Sequence, residues 1–161
     1  MKLEDLQKFC GTDETRAALM RPFSIGDRTF ATDGCLIVWS NRIPEVEESI
    51  EVPHGKVNAI VESWVDGPWL DLPKEIPAHE TSVTCGDCDG IGPCENCDST
   101  GVVEAKAKGV KMGNKILSNK YLLRIAHLPN IKLAANSTRP LEACPIKFDG
   151  GFGALMPMRE N

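Results

Sequence analysis

Four of the seven cysteines are spaced as two similar pairs, and their spacing suits metal binding better than any other chemistry. Cys85 and Cys88 form one C-x-x-C pair, and Cys94 and Cys97 form a second pair after five residues. Each pair predicts a tight turn that aims two thiolates at one point, and four thiolates satisfy the tetrahedral preference of zinc. We expect a structural zinc site, because no coordination position is left for water. Two disulfides, or free thiols, are the alternative.

The residues around the cysteines favour a compact zinc knuckle over residues 82–104. Gly90 and Gly101 suit the close turns that bring backbone around a metal.

The first residues lack the apolar core of a secretion signal, and no stretch approaches the roughly 18 apolar residues that span a bilayer. We therefore expect a cytoplasmic chain, where reducing conditions favour metal over disulfides.

No short motif of a common active site occurs in the chain. There is no phosphate-binding Gly-rich loop, no nucleophile elbow and no His-Glu-x-x-His. The three remaining cysteines, Cys10, Cys35 and Cys144, have no histidine nearby in sequence and are predicted to be small buried hydrophobes. We expect a protein that is not an enzyme, and an enzyme that uses Cys35 or Cys144 is one rival.

Charge is unevenly distributed along the chain, whose net charge is −5. Residues 41–80 carry nine acids against three bases, whereas residues 104–132 carry seven bases against a single acid, Glu104. A protein that is acidic overall can still present one basic face to a polyanion. The alternative is an ordinary solvated surface.

Hydrophobic spacing predicts an α+β fold with mostly antiparallel strand pairing. Helices are expected at the N-terminus, over 55–66 and after Ser118, and a hairpin turn is expected at Gly26-Asp27. A helix followed by strands occurs twice. Further strands are predicted by apolar runs at 35–39, 102–112, 130–135, 141–148 and 151–158, with turns at 136–137 and 149–151.

Several segments resemble the bacterial DNA sliding clamp, the beta subunit of DNA polymerase III. Asn119-Lys-Tyr-Leu-Leu-Arg-Ile-Ala-His-Leu128 is similar to the last helix of that family, and Ala154-Leu-Met-Pro-Met-Arg159 is similar to its C-terminus. Phe30-Ala-Thr-Asp-Gly34 resembles a further motif, and residues 140–146 lie where the family has a strand. The resemblance implies a clamp-like module of residues 1–43 and 109–161, in which antiparallel sheet is backed by two helices. Residues 44–108 would be an insertion that contains the helix 55–66 and the zinc knuckle 82–104.

Clamps are closed rings of about six repeated modules, each presenting helices to the phosphates of duplex DNA without reading bases. The resemblance therefore implies a non-enzymatic scaffold that encircles or contacts duplex DNA and tethers replication proteins. Lys120, Arg124 and His127 would face the DNA. A ring would need about six copies of this chain, for which a homo-oligomer is expected, or a hetero-assembly.

Clamps also carry a shallow apolar pocket that captures short peptides from partners such as a polymerase. In the family this pocket lies between neighbouring domains, so here it would form between subunits. Cys35 stands where the family usually has His. The residues that match the pocket are Thr32, Asp33, Gly34, Met156, Pro157, Met158 and Arg159.

The cysteine cluster resembles a second family, the cysteine-rich domain of J-domain cochaperones. Residues 85–92 match its C-x-x-C-x-G-x-G repeat, and residues 94–101 match less well because Ser99 replaces a glycine. This likeness covers 17 residues of the chain. It keeps open the alternative of a zinc-dependent protein-interaction or chaperone-like adaptor.

Overall fold

The computed structural model describes residues 1–64, 67–136 and 142–159, and these ranges form the α+β fold that the sequence predicts. None of the helices within these ranges is long and apolar enough to cross a membrane. The helices are α1 (Leu3–Gln7), a 3-10 helix (Glu14–Leu19), α2 (His54–Ser63) and α3 (Asn119–Ile125). The strands are β1 (Phe23–Ile25), β2 (Arg28–Thr32), β3 (Leu36–Asn41), β4 (Leu70–Asp71), β5 (Ser82–Thr84), β6 (Val102–Glu104), β7 (Gly109–Met112), β8 (Lys115–Ser118), β9 (Lys132–Leu133), β10 (Cys144–Phe148) and β11 (Gly151–Leu155).

A seven-stranded antiparallel sheet forms the centre of the molecule, in the order β1-β2-β3-β11-β10-β9-β4. The predicted hairpin turn at Gly26-Asp27 is confirmed, since it joins β1 to β2. Asp149 and Gly150 likewise connect β10 to β11. The sheet unites strands from the two ends of the chain, because β3 pairs directly with β11.

Six of the seven strands belong to two similar halves, each a helix followed by three strands, and β4 is added at the edge beside β9. The first half is α1 with β1–β3, the second is α3 with β9–β11, and the two meet at the β3–β11 pair. Leu6 and Phe9 near α1 and Leu122 and Ile125 of α3 are buried in one core on the same face of the sheet. Burying an apolar stripe of each helix against the sheet therefore sets the two helices on one side.

The opposite face of the sheet is covered by α2. Its apolar residues have the predicted i, i+3, i+4, i+7 spacing, and Val57 is buried against Phe23, Phe30 and Trp39. The helix ends at Ser63, and the last two residues of the predicted span, 65 and 66, lie outside the described ranges. Both faces of the sheet are thus packed against helices.

Parts of the segment 44–108, predicted as an insertion, belong to the main body. Helix α2 packs on the sheet, and β4 extends the sheet edge by pairing with β9. The hairpin of β5 and β6 carries the cysteine loops between its strands. The single strand predicted over 102–112 is two strands, β6 and β7, which belong to different small sheets.

The predicted C-terminal strands are longer than the observed ones. Strand β11 ends at Leu155 because its partner β3 begins opposite, at Leu36. Beyond that point Met156 and Met158 form single backbone hydrogen bonds to Cys35 and Ile116. Strand β9 is only two residues long, and residues 137–141, which include part of a predicted turn and strand, lie outside the described ranges.

Candidate functional site

The four clustered cysteines converge on one point at the tip of the β5–β6 hairpin. Their sulfur atoms all lie within 4.8 Å of one another. The Sγ atoms of Cys85 and Cys94 are 3.8 Å apart, and those of Cys88 and Cys97 are 3.7 Å apart. Thiolates bound at about 2.3 Å to a tetrahedral zinc lie about 3.8 Å apart, whereas a disulfide would need about 2 Å. The geometry therefore fits a four-thiolate metal site and excludes disulfides among these cysteines.

Residues with left-handed backbone make the two knuckles possible. Asp89 and Gly90 follow the first C-x-x-C pair with positive φ, and Asp98 and Ser99 follow the second pair in the same way. A side chain at Gly101 would bring its Cβ within 2.9 Å of the Gly90 carbonyl oxygen. Glycine at this position therefore allows the two loops to approach closely enough to share one metal.

The protonation of the thiols is uneven. Burial, together with hydrogen bonds to the other three thiols, raises the pKa of the Cys88 thiol to about 11, although a hydrogen bond from the Gly90 backbone acts in the opposite direction. Burial acts in the same direction at Cys97, but hydrogen bonds from the Gly101 backbone and from the neighbouring thiols outweigh it and lower the pKa to about 7. One thiol is therefore ready to lose its proton near neutral pH, as metal capture requires.

Asn119 fixes the base of the cysteine hairpin to the start of α3. Its side chain is fully buried, and its amide nitrogen donates to the carbonyls of Pro77 and Ala78 at 3.0 and 3.1 Å. Its amide oxygen accepts a hydrogen bond from the Lys108 backbone at 2.7 Å. Ser118, the predicted N-cap, occupies the cap position without a side-chain hydrogen bond. Asn119 thus ties the two chain segments that flank the hairpin to α3, which spacing alone did not reveal.

The three residues predicted to face DNA have different environments. The Lys120 ammonium is 3.1 Å from Glu104 in an exposed ion pair, and His127 is exposed and stacks on Phe9 with 5.9 Å between ring centres. Arg124 is more enclosed, since it pairs with Asp33 and donates to the Lys8 carbonyl. Lys120 and His127 are therefore accessible to a ligand, while Arg124 holds α3 to α1 and to the β2–β3 turn.

Charges on the face formed by α1 and α3 are mixed. Lys2 and Lys8 are exposed at α1, beside Glu4, and Lys8 pairs with Asp5 at 3.1 Å. Exposed pairs of this kind are weak because water screens them, so these cations can exchange partners with a phosphate. Lys115, counted among the seven bases of residues 104–132, is buried and donates to the Glu142 carbonyl at 2.7 Å. It does not contribute to a basic surface.

The two segments predicted to form a partner pocket meet within one chain. Asp33 accepts hydrogen bonds from the backbone of Cys35 and Leu36, which closes the turn between β2 and β3. Met156 donates from its backbone to the Cys35 carbonyl at 2.8 Å, beside this turn. Among the remaining pocket residues, Thr32 is buried, Gly34 and Arg159 are exposed, and Pro157 and Met158 are half-buried.

The cysteines outside the cluster differ in exposure. Cys10 and Cys144 are buried as predicted, and burial raises their pKa values to about 11 and about 12. The prediction was wrong for Cys35, which is exposed because it lies in the β2–β3 turn, one residue before the buried run of β3 begins. Neither buried thiol is activated as a nucleophile.

No family model matches the chain, and no curated protein matches its sequence.

Proposed function

We propose that this protein is a DNA-sliding-clamp-like scaffold that assembles with copies of itself, contacts or encircles duplex DNA without reading sequence, and tethers replication proteins. The observation that carries the proposal is the pairing of α1 and α3 on one face of a single sheet built from both chain ends. That arrangement, together with the motifs at 30–34, 119–128 and 154–159, is what a clamp module requires.

The charges of the helical face support contact with phosphates. Lys2, Lys8, Lys120 and His127 are accessible there, and their pairs with Asp5 and Glu104 are exposed. One module offers few cations, but a ring repeats each of them in every copy. Each phosphate that is neutralised releases counterions, so the resulting affinity depends strongly on salt.

In this proposal the four clustered cysteines bind a zinc ion, and the zinc has a structural role. Four thiolates at tetrahedral separations leave no position open for water or substrate. The metal would stabilise the β5–β6 hairpin, whose strands are mostly exposed and cannot form a core of their own.

Exposed Met156 and the β2–β3 turn beside it are the proposed contact for short peptides from a polymerase, because methionine adapts to different partners.

The proposal is tested by reversing charge on the helical face and measuring duplex DNA affinity over a range of salt concentrations. The double variant Lys120→Glu, His127→Glu should lose most of the affinity and flatten the salt dependence, whatever the DNA sequence. The double variant Lys56→Glu, Asn58→Glu places the same charge change on exposed positions of α2, across the sheet, and should have a smaller effect. Equal losses from both variants would show that α1 and α3 do not face DNA.

A zinc-dependent adaptor is the second candidate, supported by the protruding cysteine hairpin. Exposed Ile91 near its tip and half-exposed Val102 could contact another protein. Mass measurement under native conditions separates the two functions. A defined ring-sized oligomer of this chain favours the clamp, and a monomer favours the adaptor.

A further inference from the structure

One row of aromatic and basic side chains crosses the sheet on the face that carries α2. Directly paired residues of antiparallel strands point to the same face. The register gives Phe23 opposite Phe30, Phe30 opposite Trp39, and Trp39 opposite Phe152. Phe152 in turn is opposite Lys147 on β10. The row therefore changes from aromatic to basic at the pair of Phe152 and Lys147.

A cleft of about 540 Å³ opens over the aromatic part of this row. Phe152 and Trp64 line it, with an edge-to-face contact of 5.0 Å between their ring centres, and Phe152 is 43% exposed. Trp39, 6.3 Å from Phe152 between ring centres, and Phe148 also line the cleft. An aromatic ring left open in a cleft of this size provides a stacking surface for a flat ligand.

Polar groups at the rim of the cleft offer both kinds of hydrogen bond. Asp27 supplies an acceptor, Arg28 supplies donors, and Asn41 supplies both. These are the side chains that recognise the amino and keto groups on the edges of nucleobases. The Lys147 ammonium, 4.3 Å from the centre of the Trp69 ring, provides a second positive charge next to Phe152.

We propose that this cleft binds a nucleobase, carried either by a free nucleotide or by an unpaired nucleic-acid strand. The base stacks on Phe152, its polar edge meets Asp27 and Asn41, and its phosphate is attracted by Arg28 and Lys147. Stacking on aromatic rings beside basic side chains is the general means of holding single strands without sequence preference. The proposal is independent of the clamp-like role, because the cleft lies on the face opposite α1 and α3.

A proline-rich peptide is the other ligand that docks on aromatic grooves. Its proline rings have no hydrogen-bond donor for Asp27 and no negative charge for Arg28 and Lys147. The polar and charged groups of the cleft therefore favour the nucleobase.

The test uses the fluorescence of the protein itself, since its three tryptophans, Trp39, Trp64 and Trp69, all belong to this cluster of rings. The full chain is titrated with thymidine monophosphate, with a short oligothymidylate, with a duplex of the same length and with a polyproline peptide. We expect saturable quenching by the oligothymidylate, the mononucleotide or both. Quenching by the mononucleotide with equal affinity identifies a free nucleotide as the ligand, and quenching by the oligomer alone identifies an unpaired strand.

Variants then assign the binding to the cleft. Phe152→Leu keeps apolar volume but removes the ring, and it should weaken binding roughly tenfold. Ile50→Ala removes an exposed apolar side chain elsewhere and should change affinity by less than about twofold. Circular dichroism checks that both variants are folded. The proposal is overturned by the absence of saturable quenching, by preference for the duplex or for polyproline, or by unchanged affinity of Phe152→Leu.

Discussion

Arg124 is the residue through which the two helices and the β2–β3 turn are held together. Its guanidinium pairs with Asp33 and donates to the Lys8 carbonyl at 2.8 Å. It also lies within 6 Å of the ring centres of Phe9 and Tyr121. The exposed fractions of the two charged side chains are 26% for Arg124 and 14% for Asp33, so water screens this pair only partly. The resemblance predicted that Arg124 faces DNA, whereas in the structure its guanidinium makes contacts within the fold.

Replacing Arg124 should therefore destabilise the fold more than replacing an exposed neighbour. We expect Arg124→Gln to lower the free energy of unfolding by about 2 kcal/mol, because Asp33 is left without its cation. The control, Lys120→Gln, removes only an exposed ion pair and should cost less than about 1 kcal/mol. Urea unfolding followed by circular dichroism compares the two. Equal costs would mean that the Arg124 pair contributes no more than a surface contact.

The cysteines outside the cluster should react according to their exposure. With metal bound, iodoacetamide at neutral pH should label Cys35 and spare Cys10 and Cys144, whose burial raises their pKa values and blocks access. Mass spectrometry of the digested protein identifies the labelled sites. Rapid labelling of Cys144 in the folded protein would contradict this assignment, and Cys144 would again be a candidate nucleophile.

At the scale of elements, we expect the β5–β6 hairpin to depend on a metal bound by the four cysteines and the central sheet to be independent of it. The hairpin strands are mostly exposed, whereas both faces of the central sheet are packed. Cys88→Ser or a strong chelator should therefore abolish binding of one zinc per chain and unfold residues 82–104. Metal analysis and hydrogen exchange measure these two effects.

The matched control for that experiment is Cys35→Ser, which removes a thiol far from the cluster in sequence. It should retain the metal and the protection of the hairpin amides from exchange. Protection within β3 and β11 should persist in both variants, because those strands lie at the centre of the sheet. Loss of the sheet together with the hairpin would show that the metal supports the whole fold.

Local patterns predicted the elements well, and long-range pairing accounts for what they missed. The cysteine knuckle was predictable because its four ligands lie within 13 residues and each turn is set by neighbours in sequence. The pairing of Arg124 with Asp33 joins residues 91 positions apart, and helical periodicity cannot indicate it. The row from Phe23 to Lys147 likewise depends on strand register, which a one-residue slip would destroy. Burial of Lys115 arises from the same kind of distant contact.

At the scale of the whole molecule, the central sheet is built around two helix-plus-three-strand halves that are joined through β3 and β11. This arrangement gives the sheet two distinct faces, one bearing α1 and α3 and the other bearing α2 and the aromatic cleft. If the first face contacts duplex DNA inside a ring, the second face is directed outward. The two proposed binding activities can then operate in one assembly without competing for surface.

The most direct test of the clamp-like role is retention of the protein on closed circular DNA. The purified protein, with a loading factor from its host if one is required, is incubated with circular duplex and separated by gel filtration at a salt concentration that suppresses simple electrostatic binding. We expect the protein to stay bound to the circular DNA and to be lost when a restriction enzyme cuts the DNA once, because an encircling ring slides off a free end. Equal retention on circular and cut DNA, or none on the circle, would contradict it.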